Sequence, residues 1–573
     1  MAEDLGARPW YGDWPVGVPK MIDIPNLSMG DLLRDAASRY PDDKALVFLD
    51  SVINYRQLDN LVDRLATAFH GLGLVKGDVV AMMLPNSHQF VVTFFACQRL
   101  GLVTTAINPT YKPLEIKHQL NDSGAKAFVV LDSVYPAAEK VLGQTKVKHL
   151  IGTNIVDLTG MSPVKKFLGK LLKKIPGGDM PQNALKFTDL IKTAPQVPQV
   201  AVDAANDLAV LQYTGGTTGT PKGAMLTASN LVSNALASKA WLGQDFQRGG
   251  TVGILPLFHI FAMTCVMNTA VATGGFQLLF PRPPESMLEW AAQIQKWGQG
   301  VELIMPGVAV LFNKINHTQG LEQYDLSSLT KCTSGAGPLP REVQMAFEKK
   351  TGALVVEGYG LTEASPVVTA NPFNPVAGKE RVMGSIGLPY PNTDCKIMDL
   401  ETGDKQMPLG PEGVGELCVK GPQVMKGYYN RPDETARTIR DGWLYTGDIA
   451  YMDERGWIFI MDRAKDLVKH KGYSVFPKEV EDYLFSHPDI LEVAVVGLPH
   501  AKVGEILKAF VVLKPESVGK VSEQDIIAWC QENMTHYKVP SEVEFRQDLP
   551  KTMVGKVLRR VLKDEELSKA KQG

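Results

Sequence analysis

Residues 213–224 read YTGGTTGTPKGA, from Tyr213 to Ala224. Glycine and threonine dominate the stretch, one lysine is present, and almost nothing in it is apolar. Glycine loses more conformational freedom on folding than any other residue, so a chain concentrates it where the backbone itself must touch something. The preceding DLAVLQYT (Asp207–Thr214) reads as a strand, and Asn230 onward reads as a helix with Ser229 or Asn230 as its cap. A glycine-rich turn with threonine hydroxyls between a strand and a helix suits a polyphosphate, because backbone N–H groups can converge on anionic oxygens. Two common nucleotide loops are excluded. A Walker A loop needs Gly-Lys followed by Ser or Thr, whereas Lys222 stands between Pro221 and Gly223, and no GxGxxG spacing is present.

Outward from this loop, short apolar runs alternate with helical patterns. KALVFL (Lys44–Leu49), DVVAMML (Asp78–Leu84) and AKAFVVL (Ala125–Leu131) read as buried strands. Between the first two, Leu58, Leu61, Leu65 and Phe69 recur at helix spacing. Strands alternating with helices imply parallel βαβ units and an α/β fold, and ALVVEGYG (Ala353–Gly360) resumes the pattern. From about Gly384 the texture becomes short alternating strands punctuated by Gly and Pro, as in a small antiparallel sheet or barrel. Beyond Asp462 a lysine-rich turn leads into a compact α+β pattern. The expected organisation is a large domain over 1–461, β-rich from about 384, a hinge at 462–466 and a smaller domain over 467–573.

Composition limits the partners. The chain has 573 residues, 45% hydrophobic and 21% charged, with a formal net charge of -2, so no global field recruits nucleic acid. Cys97, Cys265, Cys332, Cys395, Cys418 and Cys530 show no CxxC spacing and no nearby histidine pair, so neither zinc nor a disulfide framework is indicated. The opening MAEDLGARPWYGDWP lacks the apolar core of a secretory signal, and a cytoplasmic location is expected. One segment is unusual. PVKKFLGKLLKKIP sets Val164, Phe167, Leu168, Leu171, Leu172 and Ile175 on one helical face, with Lys165, Lys166, Lys170, Lys173 and Lys174 on the other. Such a helix (164–175) either lies peripherally on the anionic inner face of a membrane or packs its stripe on its own core.

YTGGTTGTPKGA resembles the phosphate loop of the AMP-forming acyl-CoA synthetases, within the adenylate-forming superfamily that includes luciferases and peptide-synthetase adenylation domains. Further motifs follow in the family's order: LPLFHIFA (255–262), SGAGPLP (334–340), EGYGLTE (357–363), YTGDIA (445–450), DRAKDLVKHKGYSV (462–475) and PKTMVGKVLRR (550–560). The resemblance implies that Thr214, Gly215, Gly216, Thr217, Thr218, Gly219 and Lys222 hold the β- and γ-phosphates of ATP. It implies that Gly335, Ala336, Gly337, Gly358, Tyr359 and Gly360 frame the adenine, that Thr362 donates to a phosphate, and that Glu363 holds Mg²⁺. Those residue types suit the roles: an aromatic plane can stack on a base, and Mg²⁺ prefers one or two carboxylates plus substrate phosphates. Asp448 and Arg463 would bind the ribose, and His259 would line the acyl pocket.

By the same resemblance Lys556 is the adenylation lysine, whose ammonium offsets the repulsion between a carboxylate and the α-phosphate. The expected reaction runs through acyl-AMP to acyl-CoA, releasing AMP and pyrophosphate. The C-terminal domain then rotates about Lys465 and brings Gly472 towards a path for coenzyme A. EGYGLTEASPVVTANP, together with the basic stretch before the phosphate loop, most resembles bacterial long-chain fatty acid:CoA ligases, which makes a medium- to long-chain fatty acid the expected substrate. KHKGYSV is more like the aryl and coumarate ligases, so an aromatic acid is the alternative, as is loading of a carrier protein. A homodimer is left open.

Overall fold

The computed structural model describes residues 8–572 apart from 173, 215–220, 244, 245, 247, 376–380, 471, 472, 501, 502, 553 and 554. The chain forms two compact units: residues 13–394 with 420–444, and residues 395–419 with 445–573 together with the N-terminal residues through Gly12.

The larger unit is α/β, and its described residues build two sheets. One has seven strands in the order Leu185–Lys186, His149–Thr153, Ala127–Leu131, Val79–Met83, Val103–Ala106, Leu208–Thr214 and Lys222–Thr227. All neighbours run parallel except the last pair. The other has nine strands and includes Leu303–Gly307, Leu329–Ser334 and Leu354–Gly360 in parallel. Parallel sheets are covered on both faces, which explains strands such as VVAMM and AFVVL that are apolar at every position and buried throughout. Helix Tyr55–Gly71 begins where Asn54 and Gln57 bond reciprocally to each other's backbone. Its buried stripe runs through Leu58, Val62, Leu65 and Phe69; Leu61 is only half-buried, because Val62 occupies that turn of the core face.

The helix read from Asn230 onward is present within Ala228–Trp241, but its cap and the path to it are corrected. The glycine-rich segment does not lead directly into that helix; it joins two antiparallel strands, Leu208–Thr214 and Lys222–Thr227, with Thr214 opposite Lys222. KGAMLT buries Ala224 and Leu226 against the sheet, and that burial outweighs its weak strand propensity. Helix Ala228–Trp241 follows, and its cap is Thr227, whose hydroxyl accepts from Asn230 N at 3.2 Å while Asn230 Oδ1 accepts from Thr227 N at 2.8 Å.

The smaller unit carries mainly antiparallel sheets. Strand Trp443–Met452 pairs with Ile458–Arg463, and the chain then enters a second sheet in which Ile490–His500 and Gly504–Leu513 form a long antiparallel ladder. Helices Pro477–Phe485 and Glu523–Asn533 bury Val480, Leu484 and Ile526 against Val495, Leu507 and Val511. The C-terminal helix Arg559–Gln572 places Leu562 in a separate cluster with Val496, Phe510 and Leu549.

Helix Pro163–Leu171 presents its apolar stripe to solvent: Val164 and Phe167 are each 67% exposed, Leu172 62% and Leu168 47%. Packing of that stripe on the protein's own core is therefore overturned for these four residues. Lys165 and Lys174 are exposed, while Lys166 turns to Asp157 at 3.7 Å. The side chains of Lys170, Leu171 and Lys173 lie outside the described set. Among the described residues no helix is long and apolar enough to cross a membrane.

Candidate active site

In the larger unit the candidate residues gather at the ends of parallel strands, where open α/β sheets bind ligands. Thr214 ends one strand and Lys222 begins the next; Gly215, Gly216, Thr217, Thr218 and Gly219 lie outside the described residues. Gly335, Ala336 and Gly337 follow directly on strand Leu329–Ser334, and Gly358, Tyr359 and Gly360 end its neighbour, with Ser334 opposite Glu357. A side chain at Gly335 would meet the Phe261 ring at 3.0 Å, so glycine is what lets the 258–261 segment close onto this turn.

His259 caps the short helix Ile260–Ala262, its Nδ1 accepting from Phe261 N at 3.2 Å. In its neutral form that bond leaves the proton on Nε2. The segment is pinned from below by Asn86, which bonds to Gly253 O, Leu255 O and Leu257 N, and by Gln212, which donates to Phe258 O at 3.0 Å.

Thr362 and Glu363 stand on the single turn Thr362–Ala364 beyond strand Leu354–Gly360. The Glu363 carboxylate is half-buried, and its Oε1 accepts the Tyr428 hydroxyl at 2.7 Å. No donor among the described residues reaches Oε2. A carboxylate fixed at one oxygen and open at the other fits Mg²⁺ carried by a nucleotide, a cation that takes one or two protein carboxylates and completes its shell with phosphates and water. Among the described residues no group of three or more His, Cys, Asp and Glu could hold a metal by itself.

The smaller unit assembles the remaining candidates around the strand pair Trp443–Met452 and Ile458–Arg463. Asp448 and Arg463 are opposite one another in the ladder, and Arg463 Nε lies 3.1 Å from Asp448 Oδ1. Lys556 is brought to them by a tight turn in which Lys551 faces Val557 and Gly555 adopts φ +75°, a left-handed conformation suited to glycine. Burial, and then the charge of Arg463, pushes the Lys556 ammonium down to about 7, against a partial opposing pull from Asp448. Lys465 is pushed down to about 8 for the same two reasons. Both lysines are thus poised close to neutral pH, where an arriving anion would strengthen their charge. Gly472 lies outside the described residues.

Several contributors were given no role by the sequence, although Asp462, Asp466 and Arg559 lie inside quoted motifs. Arg559 bonds Glu481 through both carboxylate oxygens, at 2.9 and 2.5 Å, and reaches Asp462 at 3.0 Å and Asp466 at 3.2 Å. Asp462 also accepts from Lys478 N at 2.7 Å, at the start of helix Pro477–Phe485. In the larger unit Lys222 pairs with Glu434 and lies over the Tyr428 ring. The run MKGYYNRPDET that supplies Tyr428 and Glu434 has neither periodicity nor a spacing to single it out; only its two tyrosines beside a Pro-Asp-Glu helix start offered a hint.

Comparison with known proteins gives concordant matches. Residues 33–429 match the family model described as AMP-binding enzyme, and residues 479–556 match the AMP-binding enzyme C-terminal domain. The long-chain-fatty-acid--CoA ligase of Bacillus subtilis (strain 168) is 39% identical over 568 residues, covering 98% of each chain. That of Salmonella typhimurium is 40% identical over 564 residues, covering 97% of this chain and 98% of the relative. The 4-coumarate--CoA ligase 2 of Oryza sativa subsp. japonica is 35% identical over 95% of this chain and 93% of its own. Among solved structures, the anthranilate CoA ligase AuaEII with anthranoyl-AMP superimposes with TM-score 0.82 at 26% identity, covering 96% of this chain and 99% of that one. The ATP-bound chimera RpMatB-BxBclM B3 does so with TM-score 0.78 at 28% identity, covering 94% and 98%.

Proposed function

The chain belongs to the AMP-binding enzymes, and from that premise we propose that it joins a long-chain fatty acid to coenzyme A through an acyl-AMP intermediate, consuming ATP and releasing AMP and pyrophosphate. The observation that carries the reading is the near-full-length match, at about 40% identity, to long-chain-fatty-acid--CoA ligases of several bacteria. The rice 4-coumarate ligase relative keeps an aromatic acid as the second reading, at lower identity and lower coverage.

In the first half-reaction a fatty carboxylate oxygen attacks the α-phosphorus of ATP, forming the mixed anhydride as the bond to the bridging oxygen of pyrophosphate breaks. Both reactants are anions, so the step needs a cation that gains interaction as they meet. Lys556 supplies it: its ammonium sits beside Arg463 and Asp448, the groups assigned to the ribose. Thr214, Lys222 and the 215–219 segment hold the β- and γ-phosphates, Gly335–Gly337 and Tyr359 frame the base, and Thr362 orients a phosphate. Glu363 would hold Mg²⁺, which when bound neutralises charge on the leaving pyrophosphate. In the second half-reaction the coenzyme A thiol attacks the activated carbonyl and AMP departs, with the C-terminal segment re-oriented about Lys465 and Gly472 turned towards the thiol's path. His259 and Phe261 border the acyl chain.

The exposed face of helix Pro163–Leu171 supports a further part of the proposal, that the enzyme collects its substrate at an anionic membrane surface, where the apolar stripe enters the interface and the lysines face lipid phosphates. The overall reading is tested by ATP–pyrophosphate exchange over a panel of fatty and aryl acids, followed by addition of coenzyme A. Exchange with long-chain acids, and thioester once coenzyme A is added, is the expected outcome. Exchange confined to aryl acids would move the assignment to the coumarate type. Exchange without thioester would favour loading of a carrier protein.

A further inference from the structure

Strand Lys222–Thr227 has a neighbour supplied by residues 425–429. Met225 N donates to Gly427 O at 2.9 Å, Lys426 N to Met225 O at 2.9 Å and Tyr429 N to Gly223 O at 2.8 Å, with Ala224 antiparallel and opposite to Tyr428. Side chains two apart on a strand share a face, so Lys222 looks the same way as Ala224 and has Tyr428 as its diagonal neighbour. The Lys222 ammonium accordingly lies 5.0 Å from the centroid of the Tyr428 ring and pairs with Glu434 on the short helix Pro432–Thr438. The far end of the same tyrosine donates its hydroxyl proton to Glu363 Oε1. Tyr428 is buried, so its ring and hydroxyl are held in one place between the two.

One aromatic side chain therefore touches both the lysine assigned to the leaving phosphates and the carboxylate assigned to their metal. We propose that Tyr428 and Glu434 are positioning residues for nucleotide turnover: the Tyr428 hydroxyl fixes one oxygen of Glu363 so that the other meets the magnesium of MgATP, and Glu434 is the internal counter-ion that yields Lys222 to the β- and γ-phosphates and takes it back as pyrophosphate leaves. The proposal rests on the ATP-dependent reading above and deepens it at the same site.

Three features make the exchange feasible. The Lys222–Glu434 pair is partly open to solvent, with 22% and 27% of the side chains exposed, and pairs of that kind are weak enough for a multiply charged anion to displace. Glu434 keeps a second cation when Lys222 turns away, because Arg431 Nε lies 3.8 Å from its Oε1. Arg431 is in turn 3.9 Å from Asp122, which accepts the Tyr213 hydroxyl at 2.6 Å, so the helix carrying Glu434 is tied to the strand that ends at Thr214. When Lys222 turns away, Arg431 remains as the cation shared by Glu434 and Asp122.

Calorimetric titration of the full chain with a non-hydrolysable ATP analogue, with and without Mg²⁺, and with pyrophosphate and AMP, tests both residues. Tyr428→Phe keeps the ring under Lys222 and removes only the hydroxyl. It should bind the analogue normally without Mg²⁺ and lose roughly 10-fold of the affinity that Mg²⁺ adds, the scale seen when a partner behind a metal ligand is removed. Glu434→Gln should bind pyrophosphate and the analogue about 3- to 5-fold more tightly, the reach of a partly exposed ion pair. Both variants should keep wild-type AMP affinity and unfolding temperature, which a general structural defect would not. An unchanged Mg²⁺ gain in Tyr428→Phe, or unchanged or weaker pyrophosphate binding in Glu434→Gln, overturns the corresponding half. A wild-type chain that bound neither AMP nor the analogue would instead count against the ATP-dependent reading itself.

Discussion

Lys556 and Lys465 are lysines in surroundings that disfavour their charge, through burial first and the neighbouring Arg463 second. For Lys556 the folded-state value of about 7 lies below the ordinary 10.5, so between those values the unfolded chain binds a proton that the folded chain does not. Raising the pH through that window should stabilise the wild type relative to Lys556→Met, and urea unfolding of both at pH 7 and pH 9 reads the difference. Catalysis has the opposite sign, because the adenylation step needs the ammonium. kcat/KM for ATP in the exchange reaction should fall as pH rises above about 7, and that limb should vanish in Lys556→Arg, whose guanidinium stays charged. Lys556→Ala should lose roughly 100- to 1,000-fold in exchange, the usual cost of one lost transition-state contact, while retaining thioester formation from supplied acyl-AMP. Equal loss of both half-reactions would remove the division of labour assigned to this side chain. The motifs supplied the candidates at this scale: Lys556, Glu363, Asp448 and Arg463 were all named from them. Their neighbours were not, since Tyr428 reaches Glu363 across 65 positions of sequence and no local pattern encodes that meeting.

At the scale of elements, periodicity was a reliable guide where burial is one-sided or complete. The strands around Val79–Met83 and Ala127–Leu131 and the helix Tyr55–Gly71 were readable because apolar spacing reports burial directly. The same signal was silent on the segment directly after the glycine-rich loop. KGAMLT is short and threonine-ended, and only its pairing with Leu208–Thr214 makes it a strand. Helix Pro163–Leu171 is the converse case: its amphipathic pattern was plain, but which environment its apolar face meets was not, and the exposure of Phe167 and Leu172 points outward. Replacing Lys165 and Lys174 with glutamate should weaken binding to anionic vesicles by about 2 kcal/mol or more, roughly 30-fold, with exchange activity on soluble short-chain acids unaffected. Vesicle co-sedimentation that stayed at the wild-type level would reject the lipid role.

For the whole molecule, the proposed re-orientation about Lys465 has a definite electrostatic cost. Arg559 bonds both Glu481, which lies beyond the pivot, and Asp462, which precedes it, and Lys478 N also reaches Asp462. A turn at residue 465 carries Glu481 along with Arg559 but must break both links to Asp462. Lys465→Pro, which fixes φ at the pivot, should leave pyrophosphate exchange largely intact and abolish thioester formation; normal thioester synthesis in that variant would falsify the rotating-segment account. The α/β class and the family were set by residue type, apolar period and ordered motifs, all of which are local, and the same motifs supplied the candidate residues. Only the tertiary structure decided who holds those residues: Tyr428 and Glu434 on Glu363 and Lys222, Arg559 on Asp462, and Arg463 against Lys556. The reason is physical. Hydrogen bonds and charges act over a few ångströms through space, and a chain folded into sheets brings together groups whose separation in sequence carries no record of the encounter.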